Sequence, residues 1–108
     1  MIKAIGMMKR KPGLSREDFI RHYEEQHAPL AQRLLGFARY VRNYPIPEPG
    51  AAEPPFDVIT EFWFESKEAF AAAMAVNASP EAQIIREDEA RFMDTSRTVG
   101  FLVDERVT

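Results

Sequence analysis

The chain has 108 residues, 45% hydrophobic and 29% charged, the composition of one globular domain with a core of its own. Its 14 basic and 17 acidic residues give a net charge of -3, which excludes nucleic acid as a main partner, since neutralising phosphates needs a positive surface. The absence of cysteine excludes disulfides, thiolate metal sites and a cysteine nucleophile, and no apolar stretch has the length of a signal peptide core or a membrane span, so a cytoplasmic protein is expected.

Ile2 to Lys9 reads as a first strand with apolar groups on both faces, Ile2, Ala4, Gly6 and Met8 on one and Ile5 and Met7 beside Lys3 on the other. Lys9, Arg10 and Lys11 form the only basic run and read as a solvated loop. A helix follows with an explicit start: Ser15 as cap, Asp18 three residues later in a capping-box pattern, and Leu14 with Phe19 at the positions of a hydrophobic staple. Pro29 removes a backbone donor and crowds the carbonyl of Glu25, which predicts a stop or kink beside His27. At roughly 100° per helical residue, Phe19, Ile20, Tyr23, His27, Leu30 and Leu34 share one face, whereas His22 falls about 140° from His27 and reads as solvated.

Gly36 ends this pattern, and Phe37 to Tyr44 reads as a second strand. Prolines at 45, 47, 49, 54 and 55 mark an extended surface loop. Asp57 to Phe64 is the strongest strand, with Val58, Thr60, Phe62 and Phe64 opposing Asp57, Ile59, Glu61 and Trp63, and should be central. Ser66 caps a helix carrying Phe70 and Met74, Ser79-Pro80-Glu81 opens another through about Met93, and Arg97 to Val107 supplies a last strand.

The order strand, helix, strand, strand, helices, strand is that of an α+β, ferredoxin-like split β-α-β-β-α-β fold, an antiparallel sheet with its helices on one face. Ile5, Met7, Ile59 and Trp63 then lie on the face the helices leave bare. Burying each such side chain is worth about 1.5–3 kcal/mol, so a second copy of the sheet is the expected cover, giving a homodimeric α/β barrel. Lys3, Asp57 and Glu61 would enter the space between the sheets, and a ligand pocket is expected there.

Among chemistry-bearing residues, His27 is the best candidate for a general acid or base, its imidazole titrating near neutrality; the alternative is a core imidazole bonded to a backbone carbonyl. Tyr40 and Asn43 are candidate donors to a developing oxyanion, and Glu61 either orients the imidazole, acts as a base or pairs with Lys3. Tyr23, Met7, Ile59 and Trp63 are expected to line the substrate space. Glu24 and His27 have the i, i+3 spacing of carboxylate-bridged iron sites, but such sites need a second pair and none is present, so no metal is expected. Nucleotide-binding and serine-nucleophile motifs are missing.

These residues resemble the EthD family, named for an accessory protein of ethyl tert-butyl ether degradation and part of the dimeric α/β-barrel superfamily. The resemblance runs through Lys11-Pro12-Gly13-Leu14-Ser15, Tyr23 with His27-Ala28-Pro29-Leu30, Tyr40-Val41-Arg42-Asn43, and Asp57 to Phe64. It implies a homodimer binding a small apolar or carbonyl-bearing molecule without a cofactor, in an accessory role in the degradation of ethers or similar hydrophobic compounds. Other relatives imply a cofactor-independent isomerase, lyase, cyclase or monooxygenase using His27. A purely structural dimerisation module is a third possibility.

Overall fold

The computed structural model describes all 108 residues. Four strands, β1 (Ile2–Met8), β2 (Arg39–Asn43), β3 (Val58–Phe64) and β4 (Val99–Val103), form one antiparallel sheet in the order β2-β3-β1-β4. The four longer helices are α1 (Arg16–His22), α2 (Ala28–Leu35), α3 (Lys67–Asn77) and α4 (Gln83–Phe92). This is the ferredoxin-like split arrangement, with β3 and β1 central as their two-sided apolar patterns require. No helix is long and apolar enough to cross a membrane.

The helix-facing side of the sheet holds two apolar clusters. Phe19 and Tyr23 on the first helix pack with Met8, Val58 and Phe92, and Ala31 packs with Phe37, Phe64 and Ala73. Phe19 is fully enclosed, its ring 5.4 Å from that of Phe92 and edge-on to Tyr23 at 6.4 Å. Cross-strand register puts Lys3, Ile5 and Met7 opposite Trp63, Glu61 and Ile59, with Val41 and Asn43 of β2 alongside, so all of these share the opposite face.

The start of α1 follows the capping signal in part. Ser15 Oγ accepts the Asp18 N–H at 3.1 Å, whereas the Asp18 carboxylate turns to Arg21 at 2.8 Å instead of reaching back to Ser15. Of the two expected outcomes beside His27, a stop or a kink, the stop is not observed, and regular α geometry is instead interrupted locally. The chain passes through a π-helical turn (Tyr23–His27), in which the Ala28 N–H reaches the carbonyl of Tyr23, and continues directly into α2 with Pro29 in its first turn. The widened turn accommodates a proline that would otherwise crowd Glu25, because i→i+5 bonding relaxes the geometry around the missing donor.

That one extra residue per turn also shifts everything downstream. Residues five apart come to lie on the same side, so His22 joins His27 instead of facing solvent. Past the turn, Ala31 and Leu35 meet the sheet side where a regular helix would have presented Leu30 and Leu34. Gly36 ends α2 at φ +62°, a left-handed angle natural to glycine, with its N–H bonded to the Gln32 carbonyl at 2.9 Å.

The basic run is not a free solvated loop. The Arg10 N–H donates to Asp57 Oδ2 at 2.8 Å, the Lys9 ammonium lies 3.5 Å from the same carboxylate, and the Arg10 guanidinium reaches Glu53 at 3.1 Å. Asp57 is thereby occupied at the end of β3, beside the β1 exit, and does not enter the space beyond the sheet. The last strand is also shorter than expected, since Thr95–Arg97 form a 3-10 turn and residues 104–108 leave the sheet.

Candidate active site

A cavity of about 410 Å³ opens between the sheet and the helices, at the β4 edge. Twenty-two residues line it and 16 of them are hydrophobic, among them Ala4, Phe37, Phe62, Phe64, Phe70 and Leu102. The floor is unusually close at Gly6, where an added Cβ would stand 3.0 Å from the side chains of both Met8 and Phe62. The expected pocket lay on the other side of the sheet; within the chain the cavity is on the helix side, where the small residues Ala4 and Ala31 line it.

His27 is in the wall of this cavity and only 4% exposed. Its Nδ1 lies 2.8 Å from Oδ2 of Asp88 on α4, and Asp88 Oδ1 lies 3.0 Å from Nε2 of His22. One buried carboxylate therefore bridges two imidazoles, with Arg91 adding a donor at 3.3 Å. The Asp88 carboxyl is held below its ordinary range: burial pushes it up, but the hydrogen bonds from His27 and His22 outweigh that. An ionised Asp88 accepts the Nδ1–H of His27, which fixes the tautomer with a lone pair on Nε2. Burial moves the His27 imidazole below its usual 6.5, against the opposing pull of Asp88, so the neutral form prevails at pH 7. No protein group bonds Nε2. A neutral imidazole oriented by a carboxylate, with a free lone pair beside an apolar cavity, has the attributes of a general base.

A chain of hydroxyls adjoins it. The Tyr40 hydroxyl donates to that of Tyr23 at 3.0 Å, and Tyr23 lies 3.0 Å from Thr60 Oγ1, whose hydroxyl points at Met8 Sδ 3.8 Å away. Burial raises both phenols, Tyr23 to about 12 and Tyr40 further, so neither ionises at neutral pH. Tyr40 turns its proton toward Tyr23 and offers a lone pair outward. Donating to an oxyanion would require the chain to reverse, with Thr60 donating to Tyr23 and Tyr23 to Tyr40. Outside the chain, the Arg42 guanidinium stacks 4.6 Å from the Tyr40 ring and is clamped by Glu24 at 2.8 and 2.9 Å. Glu24 is thus engaged with Arg42 and Tyr44, and it forms no pair with His27.

The EthD domain model matches residues 11–96, a span that takes in α1, the π-helical turn, His27 and Asp88. The chain belongs to the EthD family. Its fold is similar to that of an EthD family protein from Bacillus halodurans C-125, with a TM-score of 0.71 at 19% identity over 98% of this chain and 100% of that one. An EthD-like protein from Ralstonia eutropha JMP134 aligns at a TM-score of 0.64 and 24% identity, covering 94% of this chain and 87% of the other. A protein from Bacteroides fragilis NCTC 9343, described as dimeric, of unknown function and of ferredoxin-like fold, aligns at 0.62 and 10% identity over 96% and 95% of the two chains. These likenesses establish the fold. No curated protein matches the chain.

Within this EthD domain, three of the residues singled out from sequence, Tyr23, His27 and Tyr40, converge on the cavity. The other five, Met7, Asn43, Ile59, Glu61 and Trp63, lie together on the opposite sheet face. There Glu61 is 2.9 Å from the Lys3 ammonium and accepts from Asn43 Nδ2 at 3.0 Å. Both partners hold the Glu61 carboxyl below its ordinary range, Lys3 foremost. The Lys3 ammonium also sits 4.6 Å above the Trp63 ring, and the Trp63 indole N–H is buried without an acceptor. Sequence reasoning missed Asp88 and Glu89. The available signal was a carboxylate at position 88 on the same stripe of α4 as Ile85 and Phe92, a core position where an acid needs a partner.

Proposed function

We propose that this EthD-family protein binds a small, largely apolar molecule in the cavity between its sheet and helices, serving in the degradation of ethers or similar hydrophobic compounds in the cytoplasm. The observation that carries this reading is the 410 Å³ apolar cavity with one oriented imidazole in its wall. We further propose that it works as a homodimer through the opposite sheet face, in line with the dimeric Bacteroides fragilis protein of the same fold. Binding is tested by titrating naphthalene into isotope-labelled protein. Amide shifts should concentrate at Ala4, Gly6, Tyr40, Phe62 and Leu102, and the absence of saturable shifts at those residues would remove the reading.

The His27–Asp88 pair favours a second reading, a cofactor-independent isomerase, lyase or monooxygenase in which His27 acts as the base. The step this geometry supports is abstraction of a proton from carbon beside a carbonyl: the C–H bond breaks, the proton goes to Nε2 of His27, and the electron pair moves into an enolate. 2-Tetralone, a two-ring ketone with acidic C–H bonds, reports on this step by deuterium uptake from heavy water. The wild-type protein should accelerate uptake, and His27→Gln should lose about 10²-fold or more of the acceleration while still binding naphthalene. Uptake no faster than in buffer alone would leave the binding role and remove the catalytic one.

A further inference from the structure

The five acidic side chains that are not solvent-exposed are Asp57, Glu61, Asp88, Glu89 and Asp94. Four have partners: Asp57 the basic run, Glu61 Lys3 and Asn43, Asp88 two histidines, and Asp94 Ser96. Glu89 alone has no hydrogen bond or ion pair to its carboxylate, and it lines the apolar cavity. The cation best placed to neutralise it is Arg86, three residues earlier on α4. That guanidinium is committed to the Asn77 and Ser79 carbonyls and to Gln83 Oε1.

Glu89 is half-buried in an apolar wall with no donor from the protein, and a molecule that brings a donor gives its carboxylate a partner on binding. We propose that Glu89 is the polar anchor of the cavity and that the molecule it takes is an apolar body of about two rings bearing a hydroxyl group, which donates its hydrogen bond to the Glu89 carboxylate. Burial raises the Glu89 carboxyl above its ordinary value, as expected for an acid with no donor of its own. Asp88 is its immediate neighbour on α4 but faces the histidines, so adjacent positions of one helix supply the support for His27 and the anchor for the ligand. Beside Asn77, Thr98 and the Tyr40 hydroxyl, the free Nε2 of His27 and the carboxylate of Glu89 thus stand on a mostly apolar wall, a pattern that orients a ligand as well as holding it.

This inference rests on the cavity being the binding site, and a matched pair of probes separates the two. 2-Naphthol and naphthalene differ by one hydroxyl; each is titrated into the wild-type protein, Glu89→Gln and Glu89→Leu, with unfolding temperature measured alongside. The expected result is 2-naphthol binding the wild type about 10-fold or more tighter than naphthalene, a smaller preference in Glu89→Gln, which keeps one acceptor oxygen, and none in Glu89→Leu. Equal binding of both probes to the wild type would overturn the role of Glu89 and leave the cavity reading standing. A preference that survives in a folded Glu89→Leu would place the anchor on another polar group of the wall, such as His27, Asn77 or Thr98, and equally overturn it. Failure of both probes to bind the wild type would remove the cavity reading and this inference with it.

Discussion

Among single residues, the carboxylate shared by His22 and His27 ties the protein's acid stability to its site. Because burial depresses the His27 imidazole below 6.5, the unfolded chain takes up a proton that the folded chain refuses as pH drops through and below that value. Stability should therefore decline below pH 6.5, by no more than about 1.4 kcal/mol per pH unit from this one group. The charged and titratable groups around it are Asp88, bonded to Nδ1, His22 on the other oxygen of that carboxylate, Arg91 at its edge, the neutral phenol of Tyr23, its ring at 5.4 Å, and Glu89 in the same cavity wall. The raised Glu89 carboxyl takes up its proton earlier in the folded chain and opposes the decline just above 4.5. Asp88, depressed from 3.8, adds its own loss only at still lower pH. Denaturant unfolding at steps from about pH 7.5 to 5 measures the slope, and His27→Gln should flatten it. An unchanged slope in that variant would place the effect elsewhere. His27 was legible in the sequence because cap, face and proline all mark it locally. Asp88 was not, since its pairing joins residues 61 apart through the fold and no local spacing encodes that.

Among the elements, the faces of the strands were readable because alternation with period two survives directly in a pleated sheet, whereas the second and last strands were read longer than their paired cores Arg39–Asn43 and Val99–Val103. The phase of the first helix was not readable. Counting at about 100° per residue assumes uniform α geometry, and the π-helical turn breaks it, moving His22 inward and exchanging Leu30 and Leu34 for Ala31 and Leu35. The turn and Pro29 are coupled in a way that can be tested. Deleting the exposed Gln26 would let a regular helix run through with its core positions in phase, but would return Pro29 to a helix interior at a cost of about 3 kcal/mol. Combining the deletion with Pro29→Ala should recover most of that loss. Thermal or urea unfolding of the two variants decides it; if the added alanine recovers nothing, the widened turn exists for some reason other than the proline.

For the whole molecule, the two sides of the sheet divide the work. Helices cover one side and enclose the cavity, whereas the other carries Ile5, Met7, Val41, Ile59 and Phe101, none of them fully buried, around the Lys3–Glu61 pair. Phe101 remains 48% exposed on this face, apolar surface that a second copy can cover. In solution the protein should therefore run at about twice its chain mass of 12.4 kDa, and a monodisperse species at the single-chain mass would contradict the proposed dimer. Ile59 sits opposite Met7 on one neighbouring strand and Asn43 on the other, so Ile59→Asp places a charge in the middle of this face without touching the cavity. That variant should be monomeric by light scattering with an unchanged far-ultraviolet spectrum. Because Ile59 is not part of the cavity lining and only Ile5, Val99 and Phe101 of that lining belong to the dimer face, it should also keep its affinity for naphthalene within about 3-fold, well under the tenfold that 1.4 kcal/mol represents. Loss of binding on dissociation would instead mean that the partner sheet braces β4, whose exposed Val99, Phe101 and Leu102 form the outer lip of the cavity.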